Sequence, residues 1–219
     1  MLNFLLKKQK RFKVTIDILT FVVLEQHIIN HRIKKLIAHG CSFTYGDELP
    51  DTNLSWPVVL AKKLNTQCTN LGVPGYSNDS ILDDLIKADL SDAFVIVCWT
   101  TYLRQRNTPI RIVASMDDKS LYGKWLLQVI LLQDYLKTKQ VPYLFFNAFD
   151  TQHQYDKYKN DFTDYKDKID TSNFLGWPYE GFVEWAWPSP TGPRGHPLEE
   201  GHAKVAEVIW EHLNGSSTT

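Results

Sequence analysis

The chain reads as an α/β protein, with a central parallel sheet and helices packed on both of its faces. Three features of the sequence predict this. Apolar runs of strand length alternate with longer helix-length segments between residues 34 and 213. Two of those runs, AFVIVCW (93–99) and VPYLFFNAF (141–149), are apolar without alternation and rich in β-branched and aromatic residues. That pattern suits strands buried on both faces. A length of 219 residues is also enough for one domain with a full core.

The elements follow in order. MLNFLLKKQKRFK is basic and VTIDILTFVVL is apolar, which imitates the first two regions of a signal peptide. Asp17 interrupts the apolar run, and no small-residue cleavage site follows. The run is also shorter than the roughly 20 residues that span a bilayer. Residues 1–31 are read as an N-terminal extension, and residues 32–213 as the domain proper. KKLIAHG (34–40) predicts the first strand, and NLSWPVVLAKKLN (53–65) a helix with Asn53 or Ser55 as cap. QCTNLGV (67–73) predicts a short strand, and SNDSILDDLIKADL (77–90) a helix with Ser77 or Asn78 as cap. After the strand at 93–99, LYGKWLLQVILLQDYLKTKQ (121–140) predicts a long helix, followed by the strand at 141–149. DKYKNDFTDYKDKIDTSN (156–173) is highly charged and reads as an exposed helix or insert. FLGWPYEGFVEWAWPSP (174–190) is too broken by proline and glycine for a long helix. It reads either as a loop with its own small core or as an aromatic wall beside a site. HPLEEGHAKVAEVIWEHL (196–213) closes the domain as a helix starting near Pro197, and residues 214–219 form a polar tail.

Composition excludes several functions. The net charge of −1 gives no grip on nucleic acid. The three cysteines are widely spaced and contain no CxxC pair, which supports neither a disulfide framework nor a zinc site. A cytoplasmic location is expected, with no metal and no cofactor.

In parallel α/β sheets, sites collect where the strands end at their carboxyl edge. Four segments leave that edge: GCSFTYGD, GVPGYSND, WTTYLRQR and NAFDTQHQ. Ser42 lies in the first. Of the seven histidines, His202 falls in the apolar stripe Leu198, His202, Val205, Ile209 and Leu213, and reads as a packing residue. His196 precedes the last helix and can reach across the sheet edge. Cys41 faces away from Ser42 if the strand geometry continues, and reads as a small core residue.

GCSFTYGD after the first strand, NLGVPGYSND after the second and HPLEEGHAKVAEVI on the last helix resemble the SGNH, or GDSL-type, hydrolase superfamily. The resemblance implies a flavodoxin-like, three-layer α/β/α sandwich. It implies Ser42 as nucleophile and His196 as general base, with the backbone N–H groups of Ser42 and Gly75 in an oxyanion hole. The asparagine that the family carries after its third strand is absent, and the Thr100 or Thr101 hydroxyl is the expected substitute. Trp99, Arg104, Trp185 and Trp187 are the candidate substrate-binding residues, with Arg104 suited to an anionic group. The aspartate that should stand three residues before His196 is Pro193. A catalytic dyad is therefore expected, with a main-chain carbonyl of SPTGPRG on the second ring nitrogen, or a carboxylate from elsewhere such as Asp150. The expected activity is hydrolysis of an acyl or acetyl ester, carbohydrate esters included. A non-catalytic ligand-binding relative is one alternative. A phosphate or nucleotide binder using Ser42, Thr44 and Gly46 is another.

Overall fold

The computed structural model describes residues 34–108 and 110–215. The expected extension at 1–31 and the last four residues of the expected tail lie outside the described residues. Four strands form one parallel sheet: β1 (Lys35–Gly40), β2 (Gln67–Asn70), β3 (Ala93–Trp99) and β4 (Tyr143–Asn147). Their order is β2-β1-β3-β4. Ile37 pairs with Thr69 on one side and Val95 on the other, and Val97 pairs with Phe145. β3 and β4 are buried along their whole length, as continuous apolar runs require.

Helices cover both faces. On one face, α3 (Asn78–Lys87) and α5 (Asp118–Thr138) bury Ile81, Leu85, Trp125 and Leu126 against Ile37, Val95, Val97 and Phe145. On the other, Phe146 packs its ring on Trp56 of α2 (Trp56–Lys63) and on Trp185 of α8 (Phe182–Ala186). α9 (Glu199–Leu213) packs against both of those helices. This is the expected three-layer α/β/α sandwich. Short helices fill the connections: α1 (Ser42–Tyr45), α4 (Ile110–Val113), α6 (Gln152–Tyr158) and α7 (Thr163–Lys166). The charged segment at 156–173 thus holds short helical turns. Among the described residues, no helix is long and apolar enough to cross a membrane.

Element boundaries move for local reasons. The helix expected from 53 starts at Trp56, because Asp51 caps a separate 3-10 turn at Thr52–Leu54 by accepting the Asn53 N–H. The last helix starts at Glu199, two residues late. Leu198 is extended and donates its N–H to Pro190 O, and Thr191 bridges Pro197 in antiparallel fashion. Residues 190–198 therefore form a strap, and His196 lies within it.

The aromatic segment covers the free edge of β4. Phe174 and Gly181 make isolated parallel bridges to Phe145 and Asn147, where a fifth strand would lie. Phe174 and Phe182 are buried, and Trp177 stacks on Trp125. Its buried rings, Phe174 and Phe182, face the sheet, which favours the covering-loop reading.

Candidate active site

The chain runs outward to β2 on one side of β1 and returns to β3 on the other. The loops after β1 and β3 therefore part over the middle of the sheet and leave a crevice. Ser42 leaves β1 into this crevice. Cys41 is extended, with φ −96° and ψ −153°, and Ser42 then opens the single turn of α1, which stops at left-handed Gly46. Ser42 is 3 % exposed. Its backbone N–H donates to no acceptor among the described residues, and neither does that of Gly75. Cys41 is buried, as read from the strand alternation.

Gly75 sits at the third position of a Val73–Tyr76 turn, with φ +77° and Tyr76 N–H bonded to Val73 O. Glycine is needed there for its left-handed backbone. A Cβ at that position would meet nothing within 4 Å, so the space in front of it is open. Asn70 fixes this loop to the serine turn. Its amide donates to Thr44 O at 2.8 Å and accepts from Gly72 N–H at 2.9 Å.

Thr100 follows β3. Its backbone N–H and C=O are both taken by the buried amide of Asn78, at 3.0 Å each. Only its hydroxyl remains free to donate, and that oxygen accepts from Arg104 at 3.1 Å. Asn78, expected as a cap, is thus a brace for the β3 exit.

His196 occupies the strap before α9. Its Nδ1 lies 2.8 Å from Oε2 of Glu48, in the loop that follows Ser42. Glu48 also accepts the backbone N–H of Arg194, at 2.9 and 3.0 Å to its two oxygens, and that of His196, at 3.1 Å. Burial pushes this carboxyl up. The Arg194 N–H, the imidazole, the His196 N–H and the Arg194 charge outweigh burial and hold it down to about 2. Glu48 is therefore an anion, so Nδ1 carries the proton it donates and Nε2 of the neutral ring keeps its lone pair. Asp47 Oδ2 lies 3.8 Å from Nε2, and Asp47 is itself held by Arg194 at 2.8 Å.

This corrects the expected dyad. The acceptor on His196 is a side-chain carboxylate from the serine loop, not a carbonyl of the strap. It is not Asp150 either, which accepts the Gln152 N–H at the start of α6. The backbone fits itself to Glu48. A Cβ on Gly192 would come within 2.8 Å of the Glu48 carboxylate, and Gly195 turns the strap at φ +83°. Glu48 itself takes φ +69°, which is uncommon for a residue with a Cβ.

The ring of Phe43 joins the parts. It meets His196 edge-on at 5.5 Å and packs on Phe182 at 5.1 Å and Phe149 at 5.0 Å. No hydrogen bond joins Ser42 to His196 among the described residues. His202 is fully buried, accepts the Trp56 N–H on Nδ1 and packs on Phe182, as its place in the apolar stripe suggests.

Among the tryptophans, Trp99 is corrected. Trp99 is fully buried in the core beneath α5, against Phe145, and has no surface to offer a substrate. Trp185 is half-buried on Phe146, with its N–H on Glu180. Trp187 is 77 % exposed after α8, with no ring contact among the described residues. Arg104 does lie at the β3 exit, over the ring of Phe149. Among the described residues, no group of three or more His, Cys, Asp or Glu side chains could hold a metal ion.

Solved structures decide the fold family. A G-D-S-L family lipolytic protein from Desulfitobacterium hafniense DCB-2 superposes with a TM-score of 0.55 at 13 % identity, over 82 % of this chain and 99 % of that one. The fold is that of the SGNH, or GDSL-type, hydrolases. The psychrotrophic esterase EstA from Pseudoalteromonas sp. matches this SGNH fold at a TM-score of 0.57 and 11 % identity, over 85 % and 100 % of the two chains. The carbohydrate esterase family 2 enzyme of Corynascus thermopiles (Myceliophthora fergusii) matches at 0.54 and 16 %, over 84 % of this chain and 66 % of that one. No family model matches the sequence, and no curated protein does.

Proposed function

We propose that this SGNH-fold protein is a serine ester hydrolase. Ser42 is the nucleophile, His196 the general base and Glu48 the residue that positions His196. The observation that carries this reading is the 2.8 Å pairing of Glu48 with His196 Nδ1, which leaves the Nε2 lone pair free to accept a proton. A serine hydroxyl attacks an acyl carbon only when a base takes its proton. In the proposed reaction, Ser42 Oγ bonds to the ester carbonyl carbon as its proton passes to His196 Nε2. The imidazolium is stabilised by Glu48 on one side and Asp47 on the other. The N–H groups of Ser42 and Gly75, with the Thr100 hydroxyl, receive the carbonyl oxygen as it becomes an anion. His196 returns the proton to the departing alcohol, and water then releases the acyl group by the same route.

The substrate class is an acyl or acetyl ester. The family resemblance and the carbohydrate esterase among the structural neighbours support esters on sugars. A cytoplasmic site of action is part of the proposal, consistent with the free thiols of Cys41, Cys68 and Cys98. The test is turnover of p-nitrophenyl acetate by the purified protein and by Ser42→Ala and His196→Ala, with circular dichroism to show that each is folded. Both substitutions should remove the activity. A folded protein inert towards short, long and sugar-borne esters would replace this reading with the ligand-binding one.

A further inference from the structure

Three arginines with described side chains stand near the carboxyl edge of the sheet, and they are treated differently. Arg194 is paired with Asp47 at 2.8 Å and reaches Glu48 at 3.7 Å. Arg106 is paired with Asp83 at 3.1 Å and also donates to Ser80 Oγ and Asp79 O. Arg104 has no carboxylate within 4 Å among the described residues. Its one side-chain bond is from NH1 to Thr100 Oγ1, and its guanidinium lies 5.9 Å from the centre of the Phe149 ring. It is half-buried, so part of its hydration is lost without a counter-ion in return. Among the described residues, four of its five guanidinium N–H donors have no acceptor.

Its position gives this imbalance a use. Thr100 holds it at the end of β3. Phe149 touches Phe43, whose ring meets His196 edge-on. Two rings, Phe149 and Phe43, therefore separate Arg104 from the proposed base across the same crevice. The acids there, Asp47 and Glu48, are already matched by Arg194. The guanidinium fork of Arg104 suits the two oxygens of a carboxylate.

We propose that Arg104 receives a carboxylate carried by the substrate, so that the ester cleaved belongs to an acidic molecule. This rests on the hydrolase reading and names its substrate class. The carboxylate can belong to the acyl group, as in a dicarboxylic half-ester, or to the alcohol, as in an acetylated sugar acid. Two matched pairs separate these sources. Hydrolysis of 4-nitrophenyl hemisuccinate is compared with that of 4-nitrophenyl pentanoate, and hydrolysis of O-acetylated methyl galacturonide with that of O-acetylated methyl galactoside. In one pair, the acidic ester should have the higher kcat/KM by about tenfold or more, and added salt should shrink that ratio. Arg104→Gln should bring the ratio to about one, and Arg104→Lys should keep part of it. A ratio that Arg104→Gln leaves unchanged in both pairs overturns the proposal while the hydrolase reading stands. So does an equal loss on acidic and neutral esters, which would mean that Arg104 acts on the reacting carbonyl through Thr100. If no ester is turned over, the hydrolase reading fails, and the carboxylate site is tested by binding. The Arg104 Nε–H NMR signal, assigned by its absence in Arg104→Gln, should then shift with sodium galacturonate and not with galactose. No shift with either overturns the proposal.

Discussion

Among the described residues, two histidines are hydrogen-bonded to a carboxylate, and their difference shows what makes an imidazole available for chemistry. His39, on β1, is fully buried. Its Nδ1 accepts the Gly40 N–H at 2.9 Å, so its proton sits on Nε2 and is donated to Asp84 at 3.2 Å. Both nitrogens are committed, and the ring joins β1 to α3 at a fixed distance. His196 is hydrogen-bonded to a carboxylate on Nδ1 only: Asp47 stands 3.8 Å from Nε2, beyond hydrogen-bond reach, and the side chain keeps 16 % of its surface exposed. The same pair of groups is a brace in one place and a base with a free edge in the other. The difference lies in what meets the second nitrogen.

The strongest way to break this comparison is to remove the free nitrogen. His196→Ala should lower kcat on p-nitrophenyl acetate by on the order of 10³-fold or more, as loss of a base from a serine hydrolase does. The fold should survive, because the Glu48 carboxylate keeps its backbone donors at Arg194 and at residue 196. Retained activity would mean that the base is elsewhere.

Glu48→Gln should have the next largest effect. An amide at this position can present a donor to Nδ1 and select the wrong tautomer. The expected loss in kcat is roughly 10²–10⁴-fold. A structural role alone would not change the shape of the pH–rate profile. A positioning role should move the acidic limb to lower pH, because the imidazolium loses its anionic neighbour and gives up its proton more readily. An unchanged profile would remove Glu48 from the mechanism.

For the buried pair, the expected effect is on stability. His39→Leu leaves the Gly40 N–H without an acceptor inside the protein and should destabilise the fold by about 1–3 kcal/mol in denaturant. Its effect on kcat should be far smaller than that of His196→Ala. If His39→Leu were as damaging to the rate as His196→Ala, the division into brace and base would fail.

Some of this arrangement was legible in the sequence. The sheet was, because strands buried on both faces are continuous apolar runs, as AFVIVCW and YLFF are. The packing role of His202 was too, since a helical stripe is a local signal. Glu48 was not. It reaches His196 across 148 positions, from a left-handed backbone conformation that its residue type does not advertise, and no periodicity reports such a contact. The only trace was indirect: the strap TGPRGHP carries two glycines, and Gly192 makes room for the Glu48 carboxylate. Trp99 was misread because it ends a strand. From sequence, the last residue of a buried strand cannot be told from the first residue of a site. Arg104 and Trp185 look alike in sequence, as large side chains near the edge. Only packing separates the one held at the crevice from the one laid on Phe146.

The last expected effect is on the pH dependence of stability. Burial lowers the pKa of His202 from 6.5 to about 4, and it lowers that of His39 despite the opposing pull of Asp84. A buried neutral imidazole stabilises the fold only while the unfolded chain is also neutral. Above pH 6.5 that contribution is complete, and it falls as the pH drops from 6.5 towards about 4, because the unfolded state then binds a proton that the folded state refuses. For His202 the gap is worth roughly 3 kcal/mol at most. Glu48 acts in the window below. Its folded value of about 2 lies under the ordinary 4.5, so its contribution is present above 4.5 and is lost as the pH falls towards 2. Acid denaturation should therefore proceed in two stages that substitution can separate. His202→Gln, which keeps an acceptor for the Trp56 N–H, should flatten the stability curve between pH 6.5 and 4 and leave the lower stage intact. Glu48→Gln should do the reverse. Urea unfolding of the three proteins at half-unit steps from pH 7 to pH 3 reads both stages. A His202→Gln curve that stays parallel to the parent between pH 6.5 and 4 would mean that His202 is not held neutral in the fold.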